Sequence, residues 1–297
     1  MELQLKDIKK VLILGAGTLG SRVGLQAAVS GYDVAIYDIS EKAFERARKT
    51  HDYLLGRLLK NEIIKPSDVN TIKDRILWTT DPEIAAENAD IINESVTEDP
   101  ELKKKVWAQF GALCPEKTLF TTNTSYLLPS QLADSSGRPE RFCAFHFHDV
   151  FHANVVDVMP HPGTDQWVVD FLVDFGKTLK QTPVVILKES HGYLFNRMFG
   201  AILSTAGLIV AEGISSHEDV DRSWMGNFKM KIGPFGMMDE VGLDTAWHVT
   251  QVSDMPKKEI FSAFLKSYID QGKLGIKTGE GFYKYPKPRY KDADFIG

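Results

Sequence analysis

The segment "KKVLILGAGTLGSRVGLQAAVSGYDVAIYDIS", which begins at Lys9, constrains the fold more than any other part of the chain. A short apolar run leads into Gly15-x-Gly17-x-x-Gly20, and a helical pattern and a second apolar run follow. In such a motif the first glycine permits a tight turn, the second lets the backbone approach a pyrophosphate, and the third lets the helix pack closely on the strand. Because the flanking strand and helix are both present, the sequence predicts a βαβ unit that binds a dinucleotide.

The same unit predicts which dinucleotide binds. A helix that starts at Thr18 and Leu19 presents unpaired N–H groups and the positive end of its dipole to a phosphate. Asp38 ends the second apolar run, where a carboxylate accepts hydrogen bonds from a ribose diol and repels a 2′-phosphate. The next residues, Ile39 and Ser40, bring no arginine. The sequence therefore favours NAD over NADP as the cofactor.

The rest of the chain shows two patterns. Up to about Val185, short apolar runs alternate with amphipathic helical segments, which is typical of a parallel sheet covered by helices. The predicted strands are residues 11–14, 33–37, 76–81, 91–94, 119–122, 142–147, 155–159 and 183–187. From "HGYLFNRMFGAILSTAGLIVAEG" onward the pattern is helical, with a stop at Gly213 and a new helix capped by Ser216. The predicted fold class is α/β: an N-terminal Rossmann-type doubly wound sheet in residues 1–188 and an all-helical C-terminal domain in residues 189–297.

Composition and charge narrow the classes of function. A chain of 297 residues is long enough for two domains with a sizeable core. Its net charge of -5 gives no broad basic field, so we expect neither nucleic acid nor a membrane as a partner. Cys114 and Cys143 lack metal-binding spacing and are expected to be reduced thiols. The N-terminal apolar run is too short to span a membrane, so a cytoplasmic location is the expectation.

Polar residues follow two further predicted strands. Glu94 and Glu98 come at and after one of them, and Asn123 and Ser125 follow the next. The carboxyl ends of parallel strands open onto the ligand crevice, so the two glutamates are candidates to face the nicotinamide or its ribose. Serine and threonine after a strand also commonly cap a helix. The lysine run at residues 103–105 is more often a solvated helix face than a site.

The stretch "AFHFHDVFHANVVDVMP" holds three histidines, for which three interpretations compete. His146 and His148 share one face of a strand and could bind a metal with Asp149 or His152. That spacing is a weak metal pattern, and we predict no metal. Buried, hydrogen-bonded core histidines remain an alternative for His148 and His152. An acid–base role for His146 is the third interpretation.

In combination these motifs resemble the L-3-hydroxyacyl-CoA dehydrogenase family and its relatives, the lambda-crystallin-like gulonate dehydrogenases. The likeness covers nearly the whole chain, through "VLILGAGTLG", "ADIINESVTEDPELKKKV", "TTNTSYLLPSQLA", "HGYLFNRM", "EDVDRSWMGNFKMKIGPFGMMDEVGLDT" and "GKLGIKTGEGFYKYP". The resemblance implies an N-terminal NAD-binding domain, a helical C-terminal domain that forms a homodimer, and a histidine–carboxylate pair beneath the nicotinamide.

The resemblance also implies roles for individual residues. His146 matches the catalytic histidine, and Ser125 matches the serine near the substrate hydroxyl. Asn196 matches the asparagine that the second domain contributes, and it would bind the same oxygen. Asp157 matches the carboxylate that orients the histidine, which is a glutamate in the family. Asn123 lies in the same matching motif as Ser125 and is predicted to contact the cofactor.

Two further residues take implied roles, and four positions depart from the family. Glu98 matches an acidic residue near the nicotinamide, and Lys103 matches one beside the substrate. The family writes "HFFNP" where this chain has "HFHDV", with His148, Asp149 and Val150 at the altered positions. Because aspartate is one methylene shorter than glutamate, Asp157 is expected to reach less far.

The chemistry supports a dehydrogenase independently of the resemblance. Histidine has a pKa suited to taking a hydroxyl proton reversibly near neutrality, and a carboxylate on its other ring nitrogen fixes the tautomer. We predict NAD-dependent oxidation of the 3-hydroxyl of an L-3-hydroxyacyl-CoA, such as 3-hydroxybutyryl-CoA, in fatty-acid metabolism. Two alternatives stay open. One is a dehydrogenase of a CoA-free 3-hydroxy acid of the L-gulonate or carnitine type, whose branch "VDVMPHPGT" resembles. The other is a catalytically weak NAD-binding structural homologue.

Overall fold

The computed structural model describes residues 2–253 and 255–296. The chain forms two compact units, of which the first ends at Leu194 and the second begins at Phe195. Residues 189–194 thus lie with the first unit.

An eight-stranded sheet with the order β3-β2-β1-β4-β5-β6-β7-β8 forms the centre of the first unit. The strands are β1 (Lys10–Leu14), β2 (Asp33–Tyr37), β3 (Ile76–Thr79), β4 (Ile91–Glu94), β5 (Leu119–Thr122), β6 (Phe142–Asp149), β7 (Ala153–Pro160) and β8 (Thr182–Val185). The strand order reverses direction between β1 and β4, which creates the crevice where doubly wound sheets bind ligands. The predicted Rossmann-type sheet is confirmed.

Helices cover both faces of this sheet. They are α1 (Thr18–Val29), α2 (Glu41–Lys60), α3 (Asp68–Asp74), α4 (Pro82–Ala86), α5 (Pro100–Leu113) and α6 (Gln166–Thr178). Alternate residues of β1 enter different apolar clusters: Val11 and Ile13 join one, and Leu12 and Leu14 join the other. A strand buried on both faces needs a continuous apolar run, which explains why "VLIL" does not alternate with polar residues.

One strand pair departs from the parallel arrangement that the sequence predicts. β6 and β7 are antiparallel, and His146 lies directly opposite Asp157 in their register. Only residues 150–152 connect the two strands, which is too short for the crossover that a parallel pair requires. The ladder shifts register between Phe147 and Asp149.

The second unit is helical. Its helices are α7 (Phe195–Ala211), α8 (His217–Phe228), α9 (Pro234–Val241), α10 (Leu243–Val252) and α11 (Lys258–Ile269). The predicted cap is confirmed, since Ser216 Oγ accepts a hydrogen bond of 3.1 Å from the Asp219 N–H. α7 begins later than the sequence predicts, because Gly192 and Tyr193 have φ angles of 75° and 56°, which a right-handed helix does not allow.

Two buried aspartates connect segments of the second unit by hydrogen bonds. Asp221 accepts hydrogen bonds from the N–H groups of Phe235 and Gly236 at 2.8 and 3.0 Å. Asp239 accepts bonds of 2.9 Å from the N–H groups of Phe282 and Tyr283. Within this unit the described residues form isolated β-bridges but no strand. No helix in the described part of either unit is long and apolar enough to cross a membrane.

Candidate active site

The glycine-rich turn between β1 and α1 has the geometry that the motif predicts. Gly15 has a φ of +102°, which favours glycine. A Cβ on Gly20 would lie 2.2 Å from the Gly15 carbonyl oxygen, so the helix and the turn are in direct contact there. A Cβ on Gly17 would meet nothing within 4 Å. Open space therefore lies beside Gly17, where a pyrophosphate would approach.

The residues around this turn fit NAD. Gly17 is the N-cap of α1, so the helix begins with Thr18 and Leu19, whose N–H groups have no acceptor within the helix. Asp38 lies just past β2 and is half-buried. Its Oδ2 accepts a bond of 2.8 Å from the Ala16 N–H, which holds the carboxylate beside the turn. A carboxylate in this position can accept hydrogen bonds from a ribose diol.

A buried ion pair lies behind the end of β4. Lys103 Nζ is 2.6 Å from Glu94 Oε1, and the two side chains are 1% and 0% exposed. Burial raises the pKa of the Glu94 carboxyl, although the lysine opposes this shift. The expectation that Glu94 faces the nicotinamide is wrong, because its carboxylate is enclosed by protein. The interpretation of the lysine run as a solvated face is also wrong for Lys103, since the amphipathic face of α5 turns this residue inward.

Glu98 joins the loops that follow β4 and β5. Its Oε1 accepts hydrogen bonds from the Thr124 hydroxyl and, at 3.2 Å each, from the N–H groups of Ser125 and Tyr126. Lys103 Nζ lies 3.2 Å from its Oε2, and 41% of the Glu98 side chain is exposed. Glu98 therefore lies at the open edge of the sheet and is held there by four partners.

Asn123 links three segments behind the same edge. Its Oδ1 accepts a bond of 2.8 Å from the Phe147 N–H, and its Nδ2 donates to Ser95 Oγ at 3.0 Å. The residue is 6% exposed. Asn123 thus connects the loops after β4 and β5 to β6, and its predicted contact with the cofactor stays a prediction.

His146 and Asp157 form a cross-strand pair. His146 Nδ1 lies 3.1 Å from Asp157 Oδ2, so the shorter acid reaches the ring. Burial raises the pKa of the Asp157 carboxyl, but hydrogen bonds from His146 and His148 outweigh that effect and the net pKa lies below its ordinary value. An ionised carboxylate only accepts hydrogen bonds, so Nδ1 of His146 carries the hydrogen. Nε2 is then a lone-pair acceptor, and it faces Ser125 Oγ at 3.3 Å.

The surroundings of His146 keep it neutral. The side chain is 3% exposed, and the Tyr193 ring stacks on it with 4.6 Å between ring centroids. Burial lowers the pKa of His146, and the hydrogen bond to Asp157 only partly offsets this. Near neutral pH the imidazole is therefore an unprotonated base. Sequence reasoning missed Tyr193, because its approach depends on the turn before α7.

The remaining residues of the histidine stretch have separate partners. Asp149 pairs with Arg22 at 2.6 Å, and His152 lies 2.9 Å from Arg57 Nη1, so neither joins His146. His148 instead lies 2.9 Å from Asp157 Oδ2.

The possible metal-ligand atoms of His146, His148 and Asp157 lie within 4.8 Å of one another, close enough to hold a metal ion. In this structure both histidines hydrogen-bond the Asp157 carboxylate directly. The sequence did indicate that His148 lies beside His146, since residues i and i+2 of a strand share a face.

Asn196 lies in the second unit. It is the second residue of α7 and is partly exposed. Its role toward the substrate oxygen stays a prediction.

The fold and the crevice residues define a nicotinamide-dependent oxidoreductase with a histidine–carboxylate pair. Comparison with known proteins identifies the family. The NAD-binding domain of 3-hydroxyacyl-CoA dehydrogenase matches residues 10–190, and the C-terminal domain of the same enzyme matches residues 192–285. The chain belongs to the 3-hydroxyacyl-CoA dehydrogenase family, and its cofactor is NAD.

Relatives match over nearly the full length of the chain. The mitochondrial hydroxyacyl-coenzyme A dehydrogenase of Mus musculus is 31% identical over 292 residues, which cover 94% of this chain and 91% of the relative. The crystal structure of (S)-3-hydroxybutyryl-CoA dehydrogenase from Ralstonia eutropha is 30% identical with a TM-score of 0.87, covering 94% and 100% of the two chains. A diketoreductase that acts on dicarbonyl compounds is 36% identical with a TM-score of 0.84, covering 94% and 99%.

Proposed function

We propose that this protein oxidises the 3-hydroxyl of an L-3-hydroxyacyl-CoA, such as 3-hydroxybutyryl-CoA, to the 3-ketoacyl-CoA, and that it catalyses the reverse reaction. The observation that carries this proposal is the geometry of His146, with Nδ1 on Asp157 at 3.1 Å and Nε2 facing Ser125 at 3.3 Å. The similarity to the Ralstonia eutropha enzyme, a 3-hydroxybutyryl-CoA dehydrogenase by its name, supports a short acyl chain. A role in fatty-acid metabolism is part of the proposal.

His146 acts as the general base. Its neutral Nε2 takes the hydroxyl proton, and Asp157 stabilises the imidazolium that forms. The Ser125 hydroxyl, and Asn196 from the second unit, hydrogen-bond the substrate oxygen as its charge changes. When bound, NAD would supply the acceptor for the hydride that leaves the carbon bearing the substrate hydroxyl.

Other residues hold the cofactor and the substrate. The N–H groups of Thr18 and Leu19 bind the pyrophosphate beside Gly17, and Asp38 binds the adenosine ribose. Glu98 and Asn123 lie near the nicotinamide. Asn123 positions the loops after β4 and β5, which it connects by hydrogen bonds.

Lys103 acts on substrate binding indirectly, through Glu98. Direct contact with a substrate is disfavoured because only 1% of its side chain is exposed. Its bond to Glu98 instead sets the position of that carboxylate at the edge of the crevice.

A second candidate function is oxidoreduction of a CoA-free hydroxy acid or carbonyl compound. One observation favours it: the diketoreductase is 36% identical, whereas the Ralstonia eutropha enzyme is 30% identical. A third candidate is a catalytically weak NAD-binding homologue, which the 3.1 Å contact between Asp157 and His146 disfavours.

One assay separates these candidates. NADH formation is measured with L-3-hydroxybutyryl-CoA, L-gulonate and carnitine, and NAD binding is measured in parallel. We expect activity with the CoA thioester, and loss of that activity without loss of NAD affinity in His146→Gln, because glutamine cannot act as a base. Activity with a free acid alone would replace the first candidate by the second. NAD binding without turnover of any substrate would support the third.

We retain the cytoplasm as the predicted location, whereas the Mus musculus relative is mitochondrial by its name. Subcellular fractionation with an antibody to this chain tests the prediction.

A further inference from the structure

His148 shares the Asp157 carboxylate with His146. His148 Nε2 lies 2.9 Å from Asp157 Oδ2, and His146 Nδ1 lies 3.1 Å from the same oxygen. The two imidazole rings meet edge to face, with 4.7 Å between their centroids. One carboxylate oxygen therefore accepts hydrogen bonds from two rings on the same strand.

The backbone explains how His148 reaches this oxygen. His146 is directly opposite Asp157 in the β6–β7 register, so His148 is a diagonal neighbour on the same face. The register shift falls between Phe147 and Asp149, at His148 itself. Such irregularities redirect a side chain next to a site. The His148 side chain is 14% exposed and the Asp157 side chain is 2% exposed, so His148 lies between Asp157 and the surface.

We propose that His148 is a positioning residue that, by donating its Nε2–H to Asp157, holds the carboxylate where it orients His146. This inference rests on the proposed role of His146 as the base. Asp157 is ionised, so both rings must present an N–H to it. With two donors on one oxygen, the aspartate side chain is held in one rotamer.

The same contact affects the charge balance around His146. Beside His148, the groups that face His146 are Asp157 from β7, Glu98 from the loop after β4, and Tyr193 from the segment after β8. His148 lowers the pKa of His146, whereas the two carboxylates raise it. Burial raises the pKa of Tyr193, so its phenol stays neutral. Loss of His148 should therefore make His146 easier to protonate.

Two substitutions separate positioning from charge. His148→Phe removes the donor, and we expect kcat with L-3-hydroxybutyryl-CoA to fall ~10-fold through misplacement of the base, with the KM for NAD unchanged. His148→Gln keeps an N–H near the position of Nε2 but removes the imidazole. It should recover most of the lost kcat, while in both variants the acid limb of kcat/KM moves to higher pH.

A matched control is His152→Phe, since His152 belongs to the same stretch but contacts Arg57. It should change neither kcat nor the acid limb. Wild-type kcat in His148→Phe would overturn the inference, and so would an equal loss of kcat in the Phe and Gln variants. If His146→Gln remains active, the proposed function itself fails. If His146→Gln is inactive while His148→Phe is unaffected, only the inference fails.

Discussion

At the scale of single residues, the pair of His146 and Asp157 decides what chemistry the crevice can perform. An acid one methylene shorter than the family's glutamate is still within reach, with an Nδ1–Oδ2 distance of 3.1 Å. The antiparallel register places the two residues directly opposite each other. Because opposite side chains on one sheet face are close, a short carboxylate suffices here.

The lowered pKa of His146 predicts how activity depends on pH. A base works only when unprotonated, and burial favours the neutral imidazole. As the pH falls, the loss of kcat/KM for alcohol oxidation should therefore begin below the ordinary histidine pKa of about 6.5. Initial rates of NADH formation between about pH 5 and pH 8 would measure this limb. A limb above that ordinary value would contradict the assignment of His146 as a buried base.

At the scale of elements, the turn between β1 and α1 allows a test with two similar substitutions. A Cβ at Gly17 meets no protein atom within 4 Å, whereas one at Gly20 would lie 2.2 Å from the Gly15 carbonyl oxygen. We expect Gly17→Ala to weaken NAD binding at least ~10-fold, because the methyl group occupies the pyrophosphate's space, with stability changed by less than ~0.5 kcal/mol.

Gly20→Ala serves as the comparison. The backbone must shift to admit the methyl group, so the free energy of unfolding should fall by ~1–3 kcal/mol. Calorimetric NAD titration and thermal unfolding of the cofactor-free protein measure both quantities. Unimpaired NAD binding in Gly17→Ala would remove this turn from the cofactor site.

The sequence predicted the elements unequally. The predicted bounds of β2, β4 and β5 match the structure, because a strand buried on both faces is a continuous apolar run with polar ends. β6 extends past its apolar residues to Asp149, since ladder pairing with β7 continues through polar side chains. The hydrophobic periodicity of a sequence does not show backbone pairing between strands. The start of α7 was placed too early for a similar reason: the left-handed turn at Tyr193 leaves the apolar pattern unbroken.

At the scale of the whole molecule, the homodimer stays a prediction, and exposed apolar side chains of the second unit are candidates for its interface. Met198, Ile214 and Phe228 are 61%, 68% and 64% exposed, although each is a large apolar side chain. Large apolar side chains that stay exposed are candidates for a surface that another protein covers. Light scattering should therefore give a mass of about twice the chain's 33.3 kDa. Phe228→Glu should shift it toward the monomer, with Lys105→Glu on the first unit as a control. A monomeric wild-type protein would contradict this prediction.

The sequence by itself determined the doubly wound sheet, NAD as the cofactor and, through its motifs, the family. These follow from local patterns, since glycine spacing, apolar runs and an acid at a strand end depend only on neighbouring residues. Tertiary structure alone decided other contacts between polar side chains. It buried Lys103 against Glu94 and placed His148 as a second partner on the Asp157 carboxylate. The reason is physical: such contacts depend on strand register and packing between segments distant in sequence, and no local pattern encodes those distances.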